Sequence, residues 1–193
     1  MLSDVVPSGE ALRLGAETGK DPRVVELILR ESVSVVRQTN KLIIAENRLG
    51  IVMANAGVDQ SNMDEGYALL LPKDPDASAN AIRDYLRDHC HSEVGVVIAD
   101  SIGRAWRNGI VGHAIGVAGI GALLDLRGKV DRNGRDLRVT EVAIADEIAA
   151  AGSMLMGQAA EGKPLVLVRG FRRIPGASGA GALLRSRELD LFR

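Results

Sequence analysis

The sequence predicts an α+β protein with mixed sheets and flanking helices. Three observations carry that reading. Two capped helical patterns open the chain, a run of strand patterns follows, and helices then recur beside near-continuous apolar segments. Residues 8–18 read as a short helix, with Gly19 as its C-terminal stop. Asp21 caps a second helix with Pro22 at its first position, where the missing N–H costs nothing. Val24, Leu27 and Ile28 form its apolar stripe. Strands follow at 33–36, 42–46 and 51–54, the last two joined by a turn over 47–50. Residues 68–71 read as another short strand, ended by Pro72.

The second half alternates in the same way. Asp74-Pro75-Asp76 opens an amphipathic helix with Ala79, Ile82, Leu86 and Cys90 on one face and Arg83, Asp84, Arg87 and Asp88 in water. Residues 93–99 (E-V-G-V-V-I-A) read as a buried strand ending at the acidic corner Asp100-Ser101. Five glycines among Val, Ile and Ala in 109–121 predict a strand and turn that another backbone or a ligand approaches closely. D-R-N-G-R at 131–135 is a turn. Thr140 is expected to cap a helix running to Met156, with Ala145, Ile148, Ala149 and Leu155 inward, and 165–168 to return as a strand. Residues 175–193 read as a loosely held tail. No repeat or linker divides the chain, so 1–193 is expected to be a single domain.

Composition excludes several classes. At 193 residues, with 46% hydrophobic and 25% charged residues, the chain is an ordinary globular protein with a sizeable core. A formal net charge of -1 and 3% aromatics give no reason to expect nucleic acid or an anionic membrane as partner. The longest uncharged apolar run, 114–124, is too short to span a bilayer. The single Cys90 and an opening that lacks the apolar core of a signal peptide fit the cytoplasm.

The chemistry-bearing stretches are loops. A-N-A-G-V-D-Q-S-N at 54–62 is too polar for a core strand, and its Asp59 and Asn62 suit a metal or a phosphate-bearing ligand. Asp100 and Ser101 offer a second set of oxygens, the kind that Mg²⁺ and Mn²⁺ prefer. The same residues also serve as ordinary turn and strand-end caps, so the pairing alone decides nothing. Arg104 and Arg107 flank the only tryptophan directly after that corner. They read either as carboxylate or phosphate holders or as solvated arginines around a packed ring. G-Q-A-A-E-G-K-P at 157–164 nearly spells a P-loop, but Pro164 stands where Ser or Thr should hold Mg²⁺. The predicted order of helix, loop and strand is also reversed, so it is no Walker motif. His89 and His91 around Cys90 sit at a helix end, where imidazolium is favoured, and read as structural.

Six blocks in order carry a family resemblance: A-N-A-G-V-D-Q-S-N, L-L-P-K-D-P-D-A-S-A, A-D-S-I-G-R-A-W-R-N-G, A-I-G-V-A-G, D-R-N-G-R-D-L-R-V-T-E-V-A-I-A-D-E and M-G-Q-A-A-E-G-K-P. Together they resemble the γ-glutamyl ligases of the deazaflavin coenzyme F-420. The resemblance implies a GTP- and metal-dependent, cytoplasmic, intertwined homodimer that joins L-glutamate by γ-linkage to the coenzyme precursor. It implies that Asp59 and Asp100 bind one divalent cation, Mg²⁺ or Mn²⁺, and that Ser101 and Gln158 serve a second, with K⁺ a further candidate ion. Asn62 and the loop of Met156, Gly157, Gln158, Ala159, Ala160, Glu161, Gly162 and Lys163 would contact GTP. Arg104 and Arg107 are our own candidates for the substrate carboxylate or phosphate. Members of the family carry a further N-terminal segment, with strands and a lysine of the GTP site, so the domain is expected to be N-terminally incomplete. The alternatives are a catalytically silent coenzyme-binding relative and a metal-dependent phosphohydrolase.

Overall fold

A computed structural model describes residues 1–172, 174, 176 and 179–190. The chain is α+β and forms two compact units: Met1–Pro72 with Gly103–Asn108, and Lys73–Ile102 with Gly109–Arg193. In the first unit, helix α1 (Gly9–Thr18) starts at Ser8, whose hydroxyl accepts the Ala11 N–H, and stops at Gly19 in the left-handed conformation. Helix α2 (Pro22–Glu31) starts at Asp21, with Pro22 in its first turn. The Glu26 carboxylate of α2 accepts the backbone N–H of Ser8 at 2.9 Å and the Arg30 guanidinium at 2.9 Å, which fastens α2 to the start of α1.

Behind these helices lies an antiparallel sheet in the order β1 (Ser32–Thr39), β2 (Leu42–Asn47), β3 (Val52–Ala54). Ile43 and Ala45 of β2 meet Leu14, Val25 and Ile28 to make the first core. Val24 and Ile28 of the expected stripe are buried, whereas Leu27 is only partly so and Val25 takes its place. The Asn47 carboxamide oxygen accepts the N–H groups of Leu49 and Ile51 and so builds the predicted turn. Residues 68–71 do not form a strand. Leu69 instead makes one antiparallel bridge to Asp59, because a loop and not an extended strand lies opposite.

The second unit packs α3 (Pro75–Cys90) and α4 (Ile144–Met156) against the sheet of β4 (Val96–Gly103) and β5 (Ile110–Ala118). Its core joins Ala114, Val117, Ala145, Ala149 and Ala180. Strand β6 (Leu124–Asp125) pairs antiparallel with β7 (Glu141–Val142), and the predicted turn over 131–135 lies between them. Five expectations differ here. Thr140 caps nothing, because Glu141 and Val142 are drawn into β7 and α4 begins only after Ala143. Leu155 is 57% exposed, and on α3 Ile82 and Cys90 are exposed while Pro75 and Ala79 are buried. Strand β4 runs on through Asp100 and Ser101 to Gly103. Residues 165–168 are unpaired, with Leu165 and Leu167 exposed.

The expected loose tail falls partly on residues 175, 177, 178 and 191–193, which lie outside the described residues. Within its described part, Ala180–Leu183 forms a 3-10 turn whose Ala180 is buried in the second core. Among the described residues no helix is long and apolar enough to cross a membrane.

Candidate functional site

Three stretches carry the predicted site residues. The first leaves β3 through a turn at Asn55–Gly57 in which Asn55, Ala56 and Gly57 all have positive φ, at 53°, 53° and 82°. Only glycine fits at 57, since a Cβ there would lie 2.5 Å from the Leu71 side chain. The left-handed geometry at Asn55 and Ala56 is held from both sides: Val58 is buried beyond it, and the Val58 N–H closes the turn on the Asn55 carbonyl. Asp59 is then pinned by its backbone, which exchanges both hydrogen bonds with Leu69 at 3.1 and 2.8 Å. Its carboxylate accepts the N–H groups of Gln60 (2.8 Å) and Ser61 (3.0 Å) on one oxygen and the Ser61 hydroxyl on the other. Asn62 follows, exposed and also left-handed, at φ 53°.

The second stretch is β4 itself. Asp100 is half-buried and accepts the Ser101 N–H at 2.8 Å, while Ser101 is exposed. Neighbouring strand residues project to opposite faces, so the two side chains address different sides of β4. The tip that follows belongs with the first unit. There Trp106 is 86% exposed at φ 66°, which overturns the packed-ring reading. Arg104 is half-buried beside it and Arg107 is exposed.

The third is the loop over 156–163. Gly157 turns the chain out of α4 at φ 81°, with its N–H on the Ser153 carbonyl at 3.1 Å. The Gln158 amide nitrogen donates to the Ser153 hydroxyl at 2.7 Å, and the Glu161 carboxylate accepts the Ala159 N–H at 2.8 Å. That carboxyl group fills the space where a Cβ at Gly157 would stand. Gly162 is again left-handed, and Ala160 and Lys163 are exposed. A helix enters the loop and no helix directly follows it, so the strand, loop and helix order of a P-loop is absent here.

Asp59, Asn62, Arg104 and Arg107 therefore lie in the first unit, and Asp100, Ser101 and 156–163 in the second. Among the described residues no three His, Cys, Asp or Glu side chains cluster as a metal site. The predicted residues offer carboxylate, hydroxyl and amide oxygens, from Asp59 in the first unit and from Asp100, Ser101 and Gln158 in the second. These are all hard oxygens that fit Mg²⁺ or Mn²⁺ and would not select a soft metal. Sequence reasoning missed Ser61 and Ser153, which hold Asp59 and Gln158. The D-x-S spacing of an Asx turn could have revealed Ser61, but Ser153 shows itself only once the end of α4 is known.

An α+β fold with Gly-turned loops that present oxygen donors leaves the reaction open. The sequence profile of the F420-0:Gamma-glutamyl ligase family matches residues 1–170, and the chain belongs to that family. It is 48% identical over 194 residues to the coenzyme F420:L-glutamate ligase of Methanothermobacter thermautotrophicus, covering 100% of this chain and 77% of the relative. The protein of the same name from Methanopyrus kandleri is 48% identical over 196 residues, covering 100% of this chain and 78% of the relative. The Archaeoglobus fulgidus protein of that name is 40% identical over 192 residues, covering 100% and 76%.

Proposed function

We propose that this chain is a GTP- and metal-dependent ligase that joins L-glutamate by γ-linkage to the coenzyme F-420 precursor. One observation carries the site: Asp59, within the first family block, has both carboxylate oxygens oriented before any ligand arrives. A carboxylate so held keeps lone pairs for a hard cation. The γ-phosphoryl group of GTP passes to a substrate carboxylate oxygen, giving an acyl phosphate and GDP. The glutamate amine then attacks the acyl carbon and displaces phosphate. Divalent cations would neutralise charge on the transferring phosphoryl group. Asp59 and Asp100 would hold one cation, and Ser101 and Gln158 a second. Asn62 and the 156–163 loop would orient the nucleotide, and Arg104 and Arg107 the substrate carboxylate or phosphate. The exposed apolar residues Val33 and Val36 on the edge strand β1, with Leu165 and Leu167, support a homodimer, since such edges are normally covered.

The test is GDP formation with Mn²⁺, GTP, the precursor and glutamate. It should depend on glutamate and fall at least about 100-fold in Asp59→Asn and Asp100→Asn. Phosphate release without glutamate would identify a phosphohydrolase instead. No heat on titrating GTP and Mn²⁺ into the folded protein would identify a silent relative.

A further inference from the structure

Trp106 is unfavourably placed on two independent counts. Among the described residues it is the most exposed large apolar side chain, and its backbone is left-handed at φ 66°. That conformation suits glycine and is an outlier for a bulky residue. Folding alone therefore favours glycine at position 106 and gives no reason for a large ring in water. Backbone strain that folding does not reward collects where a ligand is met.

The neighbours indicate the chemistry of that ligand. Residues 103–109 (G-R-A-W-R-N-G) flank the ring with Arg104 and Arg107 and supply only Ala105 as a further apolar residue. A protein partner is usually met by a contiguous apolar patch, whereas this tip offers one ring amid cations. Arg13, Arg23, Arg30, Arg87 and Arg127 each pair with a carboxylate two to four residues away. Arg107 has no carboxylate so close, because no Asp or Glu occurs from Ser101 to Leu124. Elsewhere the rings of Tyr85 and His89 stack at 4.2 Å. Among the described residues no ring or guanidinium lies over Trp106, so its faces are open.

We propose that Trp106 is a stacking platform for a planar heteroaromatic ring that carries an acidic chain, with Arg107 beside it for the anion. The inference rests on the ligase reading, which supplies two ligands of that chemistry: the deazaflavin coenzyme precursor and the guanine nucleotide.

Trp106 is the only tryptophan, so the indole emission of the full chain reports this ring alone. The chain is titrated in turn with the deazaflavin precursor and with GDP, and its emission is corrected against free N-acetyltryptophanamide. Emission should change along a saturating curve for at least one of them, and the ligand that does so names the source. By calorimetry Trp106→Phe should bind that ligand nearly as well, and Trp106→Gly about 10-fold more weakly, the size of one lost stacking contact. Trp106→Gly should also keep or raise the Tm, because it relieves the left-handed backbone. A lowered Tm would assign the ring to the fold and overturn the platform. Saturating heat without a change in emission, or equal affinity in Trp106→Gly, overturns it while the ligase reading stands. Emission that shifts with protein concentration and not with ligand assigns the ring to a second copy of the chain and also overturns it. No heat from either ligand removes the ligase reading and the inference together.

Discussion

Carboxylates in this protein divide by what they accept. Asp59 accepts from its own loop and keeps its position for a ligand, whereas Glu26 accepts from Ser8 and Arg30 and holds two helices together. Hydrogen bonding by the Ser8 side chain, then by the Ser8 N–H and the Arg30 guanidinium, pulls the Glu26 carboxyl below its ordinary value. Because the folded value is depressed, the contribution of Glu26 is complete above the unfolded value of about 4.3. It is lost as pH falls through the lower folded value. Glu26→Gln should therefore cost about 1–2 kcal/mol at pH 7 in urea unfolding, and the difference from the unaltered chain should shrink below about pH 4. Equal differences at pH 3 and pH 7 would show that charge plays no part. At this scale Asp59 and Asn62 stand out in the sequence as polar residues of a loop, whereas Gln158 is picked out only through the family resemblance. The contacts of Ser61 with Asp59 and of Ser153 with Gln158 are not legible there, since a serine's partner depends on where its neighbours' backbone turns.

Elements show the same division. Helices α1 and α2 were readable to within a residue, because Ser8, Gly19, Asp21 and Pro22 act on their own backbone within one turn. The start of α4 was not readable, because pairing of β7 with β6 outweighs the local capping preference of Thr140. The glycines of β5 were rightly read as places of close approach. Gly112 admits α4, and Gly116 admits the first turn of α3, whose Pro75 Cβ would be 2.8 Å from an added Cβ. Gly112→Ala sets a methyl group against the Ala149 carbonyl, an atom that cannot swing aside. It should cost about 1–3 kcal/mol. Gly128→Ala meets no neighbouring atom, and what it costs comes from its left-handed φ of 78° alone. Equal destabilisation of the two variants in thermal unfolding would refute the packing account of β5.

Across the whole molecule, each compact unit has its own core, one between α1, α2 and β2 and one between β5 and α4. The second unit depends on a contact that no local pattern announces. Asp76, in the first turn of α3, accepts the N–H of Val117 at 2.8 Å and that of Ala180 at 3.0 Å. One carboxylate thus serves a strand and the C-terminal segment together. Asp76→Ala leaves both donors without it and should cost about 2–3 kcal/mol. Hydrogen exchange should speed up at the Val117 and Ala180 amides and not in α1. Unchanged protection at Ala180 would mean that the segment is held by its apolar contacts alone.

The sequence by itself determined the α+β class and the caps of the first helices, as well as the family through its ordered blocks. Those features depend on interactions within a few residues, or on blocks whose order can be read directly. Only the tertiary structure decided that Asp100 and Ser101 lie within a strand, that the Gln158 amide nitrogen meets the Ser153 hydroxyl, and that Asp76 gathers the C-terminal segment. Each is a contact whose partner is selected by packing between elements, and hydrophobic periodicity says which face is buried without saying what will cover it.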